Sequence, residues 1–383
     1  MGTARHDVAV IGRGMIGAAA GRHLAEAGYS VALIGPGEPE DRRVSGGPFA
    51  SHHDEGRITR IAGRNATWTE VAAHSTRRYA DIAARSGIDF HTPGGVVVAY
   101  PDAADWVTRA QGWGSDARLI DADWLRQTSG IAIENGLGLV YEGPPAGHIN
   151  PRRLVAAQTR LADLGGATVV DAAVHTVVRG EGGFELRGSF GSLAADRILV
   201  ASGAFGRELF EWQLDVERRA RSIVMARLED DGRLPSLICA QPPDGRLAEI
   251  YWVPPVRYPD GSVRIKIGGN LVETILLDPE DLTDWFRSDG DAGEIDSLTH
   301  NLRSLLPDAP LGDIVTAPCV ITGTATGMPF IGWVDDGVAV AIAGNGSAAK
   351  SSDELGRIGA SLFGESGWDS AIDPELLAPR LLG

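Results

Sequence analysis

The sequence predicts an α/β chain in which a doubly wound parallel-sheet domain is interleaved with a second domain on a mixed sheet. Three observations predict it. The N-terminus reads strand, glycine turn, helix, strand; two later apolar strands each run into a turn of small residues; and 383 residues exceed the usual size of one domain.

The first unit opens with Val8-Ala9-Val10-Ile11, an apolar run of the buried parallel type. Gly12-Arg13-Gly14-Met15-Ile16-Gly17 follows, then a helical stretch to about Ala27, punctuation at Gly28 and a second strand, Val31-Ala32-Leu33-Ile34. Gly12 serves the tight turn, Gly14 lets backbone approach a pyrophosphate, and Gly17 lets the helix pack on the strand. The phosphate then sits on the helix N-terminus, beside Met15 and Ile16, where free N–H groups and the dipole favour an anion. One position departs from the fingerprint: the acidic residue expected after the second strand, to hold the ribose hydroxyls, is Gly35. Glu38, or backbone and water, is left to replace it.

A nicotinamide dehydrogenase would continue with regular strand–helix alternation, and a flavin reductase would carry a second glycine fingerprint; neither occurs. Instead Arg197-Ile198-Leu199-Val200-Ala201 runs into Ser202-Gly203-Ala204-Phe205, a turn of the kind that returns to the cofactor in flavoproteins. Val338 to Ala343 then ends in Gly344-Asn345-Gly346-Ser347-Ala348-Ala349-Lys350 and a new helix. That helix start would aim its dipole at the flavin N1–C2=O edge. A Rossmann-like FAD-binding domain is the expectation.

Composition adds a pointer. The only lysines are Lys266 and Lys350, arginine supplying the rest of the 35 basic side chains. An ammonium is a compact charge that shifts its pKa, a guanidinium a planar fork that stays charged, so both lysines are suspected site residues. A net charge of -16 argues against nucleic acid or an anionic membrane as partner. Cys239 and Cys319 are too far apart to read as a disulfide framework. No apolar run approaches the ~20 residues that cross a bilayer, and the short polar start leaves no room for a signal peptide. A cytoplasmic monomer or weak oligomer is expected, with no metal site.

The segment Ser51-His52-His53-Asp54-Glu55-Gly56-Arg57-Ile58-Thr59-Arg60-Ile61 resembles the flavin-proximal segment of monomeric sarcosine oxidase and its relatives, the D-amino-acid-oxidase-like amine oxidases. In them two arginines three residues apart follow a His-His pair. Further along, Gly147-His148-Ile149-Asn150-Pro151 is similar to the family's entry into a helix, and Ile265-Lys266-Ile267-Gly268 to its oxygen-activating lysine strand. Ala317-Pro318-Cys319-Val320-Ile321-Thr322-Gly323-Thr324 resembles the stretch with its covalent flavin cysteine, and Gly346 to Lys350 its last flavin-binding turn. The resemblance implies the glutathione-reductase/D-amino-acid-oxidase type of fold, with an α+β substrate domain. Residues 1–85, 148–215 and 315–383 are expected to form the FAD domain, and 86–147 and 216–314 the substrate domain, with Val96-Val97-Val98 in the mixed sheet. The acidic stretch Asp284 to Asp296 reads as a solvated loop or helix-flanking turn.

The resemblance also implies roles. Arg60 and Lys350 would clamp a substrate carboxylate, Arg57 would lie near the flavin, and Lys266 would stabilise the charge that builds as dioxygen is reduced. Ser51, His52, His53, Val174, Gly203, Gly344, Gly346, Ser347, Ala348 and Ala349 would hold FAD. Cys319 would attach to the ring as a thioether, its alternative being an inert small hydrophobe. Tyr251 and Trp252 are expected in the pocket wall. Gly56, Gly269, Asn270 and Ser347 replace larger residues, which predicts a wider, more polar cavity and an N-substituted glycine bulkier than sarcosine. The expected reaction oxidises a carbon–nitrogen bond with dioxygen as acceptor and hydrogen peroxide as product. A dehydrogenase of the same fold, passing electrons to a quinone or carrier protein, is the rival, and a non-catalytic dinucleotide-binding protein a more distant one.

Overall fold

The computed structural model describes residues 5–133, 136–205, 209–229, 232–242 and 244–382; their strands form two eight-stranded sheets and one of three strands. In the first sheet, Arg5–Ile11 pairs in parallel with Val31–Ile34 on one side and Gly191–Val200 on the other. Thr168–Val170 adds beyond Val31–Ile34, and Val338–Ile342 beyond Gly191–Val200, both parallel. The two late strands singled out in the sequence thus lie side by side, the first of them next to the strand that enters the glycine turn, and five chain ends share one edge.

Alternate residues of these strands enter two cores, which is why they read as continuous apolar runs. Val8, Val10, Leu33 and Leu199 pack with Leu24, Leu355 and Ile358 of the helices Met15–Glu26 and Ala348–Ser361. Ala9, Ile11, Ile34 and Val200 pack with Phe184, Leu186 and Leu193 of an antiparallel meander on the opposite face. Helix Ala66–Ser86 starts where Asn65 accepts from the Trp68 N–H at 2.9 Å and stops at Gly87 with φ 67°. Asn150 caps helix Pro151–Leu164, with proline in the first turn.

The second sheet is mixed. Its order is Ile314–Gly323, Glu217–Arg227, Val263–Leu271, Leu247–Arg257, Ser236–Ala240, Val96–Tyr100, Gly138–Glu142, Arg118–Ile120, and only Ser236–Ala240 and Val96–Tyr100 pair in parallel. Ile314–Gly323 pairs with Glu217–Arg227 along nearly its whole length, so the expected division at 314/315 falls at the start of an edge strand. Helix Ala292–Leu305 covers one face through Leu298 and Leu302, which pack with Ile250, Trp252 and Ile267. The stretch Asp284 to Asp296 is therefore mostly helical rather than a loop: helices Leu282–Arg287 and Ala292–Leu305 leave only 288–291 between them. The third sheet joins Arg57–Thr59, Gly147–Ile149 and His91–Thr92. Among the described residues no helix is long and apolar enough to cross a membrane, and no cluster of metal-ligating side chains occurs.

Candidate active site

The site lies where the parallel strands end against the second sheet. Gly12 has φ 110°, and a Cβ there would overlap the carbonyl of Ala201; Ala201 N donates to Ile11 O at 2.7 Å, so the turn and the end of Gly191–Val200 are locked together. A Cβ on Gly17 would overlap Gly12 O. Around Gly14 there is space instead, the nearest atom to a methyl group added there being His52 Nδ1 at 3.9 Å. No side chain caps the helix at Gly14, so the N–H groups at Met15, Ile16 and Gly17 remain for an anion. Gly203 has φ 65° with nothing near its Cα face. This cradle fits the pyrophosphate of a dinucleotide.

The second helix start, after Val338–Ile342, is a turn held in left-handed backbone: φ is 65° at Ala343, 48° at Asn345 and 73° at Gly346. Non-glycine residues adopt that region at a cost, met here by local bonds. Asn345 N donates to Thr322 O at 3.0 Å, and Asn345 Oδ1 accepts from Thr324 N at 2.9 Å, stitching the turn to the strand that carries Cys319. Gly344 is obligatory, since a Cβ would overlap Ala348. Ser347 makes no side-chain cap, so among the described residues the N–H groups of Ala348 and Ala349 at this helix start also have no side-chain acceptor.

Strand parity decides which side chains of the second sheet look toward these turns. The register places Cys319 opposite Arg221 and Met225 opposite Lys266; Asn270 stands opposite Glu249, and Gly268 opposite Tyr251. All therefore share one face. On it, Asp54 gathers two cations: Lys266 Nζ donates to Asp54 Oδ2 at 2.6 Å and to Gly56 O, and Arg57 donates to the same carboxylate oxygen. Arg57 also donates to Ser51 O at 2.7 Å and lies 3.8 Å from Cys319 Sγ. Lys266 Nζ is 5.8 Å from the Tyr251 ring centre. Burial, and then Arg57, push the ammonium pKa well below its ordinary value; the Asp54 carboxylate acts in the opposite sense. Burial holds the Tyr251 phenol up at about 12. Ser51 Oγ donates to Val320 O at 2.9 Å, so the 51–57 segment runs along the Cys319 strand. Burial lowers His52 well below the usual imidazole range and His53 to about 4. His53 Nδ1 is buried with no partner.

Arg60, on the other side of strand Arg57–Thr59, enters a second cluster. It donates to Ala62 O, and its guanidinium lies 5.1 Å from the Trp106 ring centre. Its Nε is buried without a partner, and burial lowers its pKa to about 10. Lys350 Nζ donates to Trp68 O at 2.9 Å; burial, then the Arg60 charge, lower its pKa. Glu142 fixes the loop after Arg60 by accepting from Ile61 N at 2.8 Å and Ala62 N at 2.9 Å. Neither cation of this cluster has a carboxylate in hydrogen-bond contact among the described residues.

Asn270 connects two charges: Arg221 Nε donates to its Oδ1 at 3.1 Å, and its Nδ2 donates to Glu249 Oε1 at 2.9 Å. Arg64 and Tyr100 hold the other oxygen of Glu249. Two expectations need correction. Trp252 is not in the pocket wall: parity turns it into the hydrophobic core, fully buried, with Nε1 donating to Pro235 O at 3.0 Å. Gly269 faces the same core, against Leu247 and Leu298, and a Cβ on Gly56 would meet Val253 Cγ1 at 2.6 Å; neither opens the cavity. Val174 opens the edge strand Val174–Gly180 and is half-buried against the meander core. The sequence reading missed Asp54, Glu142, Glu249 and Arg221. Asp54 carried a signal, an acid inside a segment dense in cations; the others are strand residues that only the pairing register brings to the site.

Comparison with known proteins agrees with this geometry. A family model described as FAD dependent oxidoreductase matches residues 7–362. The chain is 25% identical over 237 residues to monomeric sarcosine oxidase from Bacillus sp. (strain B-0618), covering 59% of this chain and 58% of that one. It is 22% identical over 211 residues to N-methyl-L-tryptophan oxidase from Yersinia pestis (strain Pestoides F), covering 53% and 55%. The chain thus spans little more than half the length of the curated relatives it matches. Among solved structures, the open form of NikD, an unusual amino acid oxidase essential for nikkomycin biosynthesis, superposes with a TM-score of 0.77 at 20% identity over 99% of this chain and 98% of that one. Glycine oxidase from Geobacillus kaustophilus gives 0.74 at 20% identity over 99% of each; at such identities the likeness establishes the fold. With the family model spanning nearly the whole chain, over a glycine cradle built for a dinucleotide, the protein belongs to the FAD-dependent oxidoreductases and is a flavin enzyme.

Proposed function

We propose that the chain is an FAD-dependent oxidase of the carbon–nitrogen bond of a secondary-amine amino acid, an N-substituted glycine bulkier than sarcosine. The observation that carries this reading is the meeting of Arg57, Lys266 and Cys319, from three remote segments, on the face that looks toward both helix N-termini. FAD held in this cradle would supply the two-electron oxidant for the bond between nitrogen and the adjoining carbon, with dioxygen as final acceptor and hydrogen peroxide as its product. The chain's residues do the rest. Arg60, with its unpartnered Nε, and Lys350 orient the substrate carboxylate. Tyr251 and Asn270 border the substrate, and the short side chains of Asn270 and Ser347 leave room for the N-substituent. Cys319 tethers the flavin. Water hydrolyses the imine product to a carbonyl compound and a smaller amine.

A second reading, a dehydrogenase that passes electrons to a quinone or carrier protein, draws support from one contact: Lys266 is engaged by Asp54 rather than left as an uncompensated charge. The deciding experiment takes purified holoprotein, with a flavin chromophore that stays with the acid-precipitated chain, and measures peroxide release from N-alkylglycines of increasing size. Sarcosine turned over as efficiently as the larger homologues sinks the pocket argument, and substrate-dependent flavin bleaching that air does not reverse selects the dehydrogenase.

A further inference from the structure

The fold leaves the adenosine ribose of FAD without its usual acidic ligand on the second strand, and Gly35 shows why. A Cβ at that position would lie 2.5 Å from Arg13 N and 2.7 Å from Arg13 Cβ, so this backbone admits no side chain there. Glu38, the loop acid nearest in sequence, is occupied: Arg152 donates through Nε and Nη2 to its two oxygens, each at 2.6 Å, and joins it to Glu55. The neighbouring strand offers another carboxylate. Thr168–Val170 pairs in parallel with Val31–Ile34, Val170 opposite Ile34, and Gly35 N donates to Val170 O at 3.0 Å. The next residue, Asp171, therefore stands beside the position that glycine has vacated. Its Oδ1 accepts from Gly37 N at 2.5 Å and lies 3.2 Å from Arg13 Nη2, while Arg13 Nε donates to Gly35 O at 3.0 Å. Arg13 itself belongs to the glycine turn that fits the pyrophosphate.

We propose that Asp171, delivered by the adjacent strand, replaces the missing acid and accepts hydrogen bonds from the adenosine ribose hydroxyls of FAD. Two donors pin one carboxylate oxygen and set the orientation of the group; the other oxygen has no protein donor among the described residues, and the side chain is 69% exposed at the strand edge where a ribose would cover it. An ionised carboxylate accepting from a hydroxyl makes a strong, charge-assisted bond, and a carboxylate has acceptor sites for both hydroxyls besides the donors that hold it. The arrangement also gives Arg13 a purpose: it fills the volume over Gly35 and turns Asp171 toward the cradle.

The test removes the ribose hydroxyls and the carboxylate separately and together, in a Cys319→Ala background so that flavin is exchangeable whatever its attachment. Apoprotein is titrated with FAD, and with an FAD analogue whose adenosine half carries 2′,3′-dideoxyribose, following flavin fluorescence. Asp171→Ala is expected to weaken FAD about ten- to a hundred-fold, the range for a lost hydrogen bond to a charged group. The analogue should bind the parent protein correspondingly weakly and bind Asp171→Ala no worse than FAD does, so that the two losses are not additive. Asp171→Asn, whose carboxamide oxygen still accepts, should fall between and guards against misfolding of the alanine variant. Fully additive losses would mean that Asp171 only braces the Gly35–Gly37 loop, and a larger FAD-specific loss in Glu38→Gln would give the ribose to Glu38; either result overturns the proposal.

Discussion

The two lysines of this chain are both buried, yet their surroundings differ in kind. Lys266 meets a carboxylate, Asp54, which also takes Arg57, so its charge is answered from within the protein. Lys350 donates to the carbonyl of Trp68 and its neighbour Arg60 to that of Ala62, with the Trp68 and Trp106 rings beside them; Glu142 acts on both through space, and among the described residues the Arg60 Nε–H has no partner. Burying a cation is expensive unless something anionic completes it. On the proposed function this difference separates the cations by what they do: the Arg60–Lys350 pair would take an anionic ligand, and Lys266 would be held ready with its charge moderated. The largest expected effect tests the first half. Arg60→Ala should cost a factor of about 10²–10³ in kcat/KM for a carboxylate-bearing amine, the range for losing one partner of a buried charge pair. The same variant should lose far less on an amine that lacks the carboxylate. An equal loss on both amines would show that Arg60 shapes the fold and holds no substrate.

The second half is sharpened by pH. Burial and Arg57 hold the Lys266 ammonium below its ordinary pKa, so its charged form is complete at low pH and disappears as pH rises through that lowered value. Reoxidation of reduced enzyme by dioxygen, if it needs the charge, falls on the alkaline side. Lys266→Met should slow it by about a hundred-fold, within the ~3–4 kcal/mol that a preorganised charge supplies, and should abolish the alkaline fall. Asp54→Asn removes the attraction that favours the ammonium, and so should move the fall to lower pH by a unit or more while leaving a limb in place. Stopped-flow mixing of reduced protein with oxygenated buffer measures both. Reoxidation that is slow in the parent and indifferent to Lys266→Met would favour the dehydrogenase reading.

What the sequence makes legible follows the range of the interactions. The glycine turn is local: Gly12 and Gly17 are dictated by atoms within one turn or on the adjoining strand, and their spacing announces them. Arg57, Arg60, Lys266, Cys319 and Lys350 were singled out through a resemblance to a family that the family match then supported, and the structure brings Arg57, Lys266 and Cys319 to one face. Asp54 was visible in the same segment but carried no role, because nothing local says that an aspartate 212 positions from a lysine will meet it at 2.6 Å. Arg221, Glu249 and Glu142 were illegible for the same reason, their placement depending on cross-strand register. Register also explains the error at Trp252: two adjacent aromatics on a strand cannot both line one pocket, and Tyr251 already occupies the cofactor-facing side.

That error supplies the smallest and most local test of how the two faces of the second sheet divide their work. Trp252 is fully buried among Leu237, Ile250 and Ile267, with Nε1 bonded to Pro235 O at 3.0 Å. Trp252→Phe keeps an aromatic ring in the core, loses the indole bond and part of the packing, and orphans one carbonyl, so it should lower unfolding free energy by about 1–3 kcal/mol. KM for the amine should stay unchanged. Tyr251→Phe, one residue away on the other face, changes no core contact and deletes a hydroxyl that lies over Gly268; it should leave the denaturation midpoint nearly where it was and alter KM or the flavin spectrum. A crossed result, with Trp252→Phe shifting KM and Tyr251→Phe shifting stability, would mean that the strand presents its opposite face to the cofactor, and the assignments of Lys266, Asn270 and Arg221, which share parity with Tyr251, would fall with it.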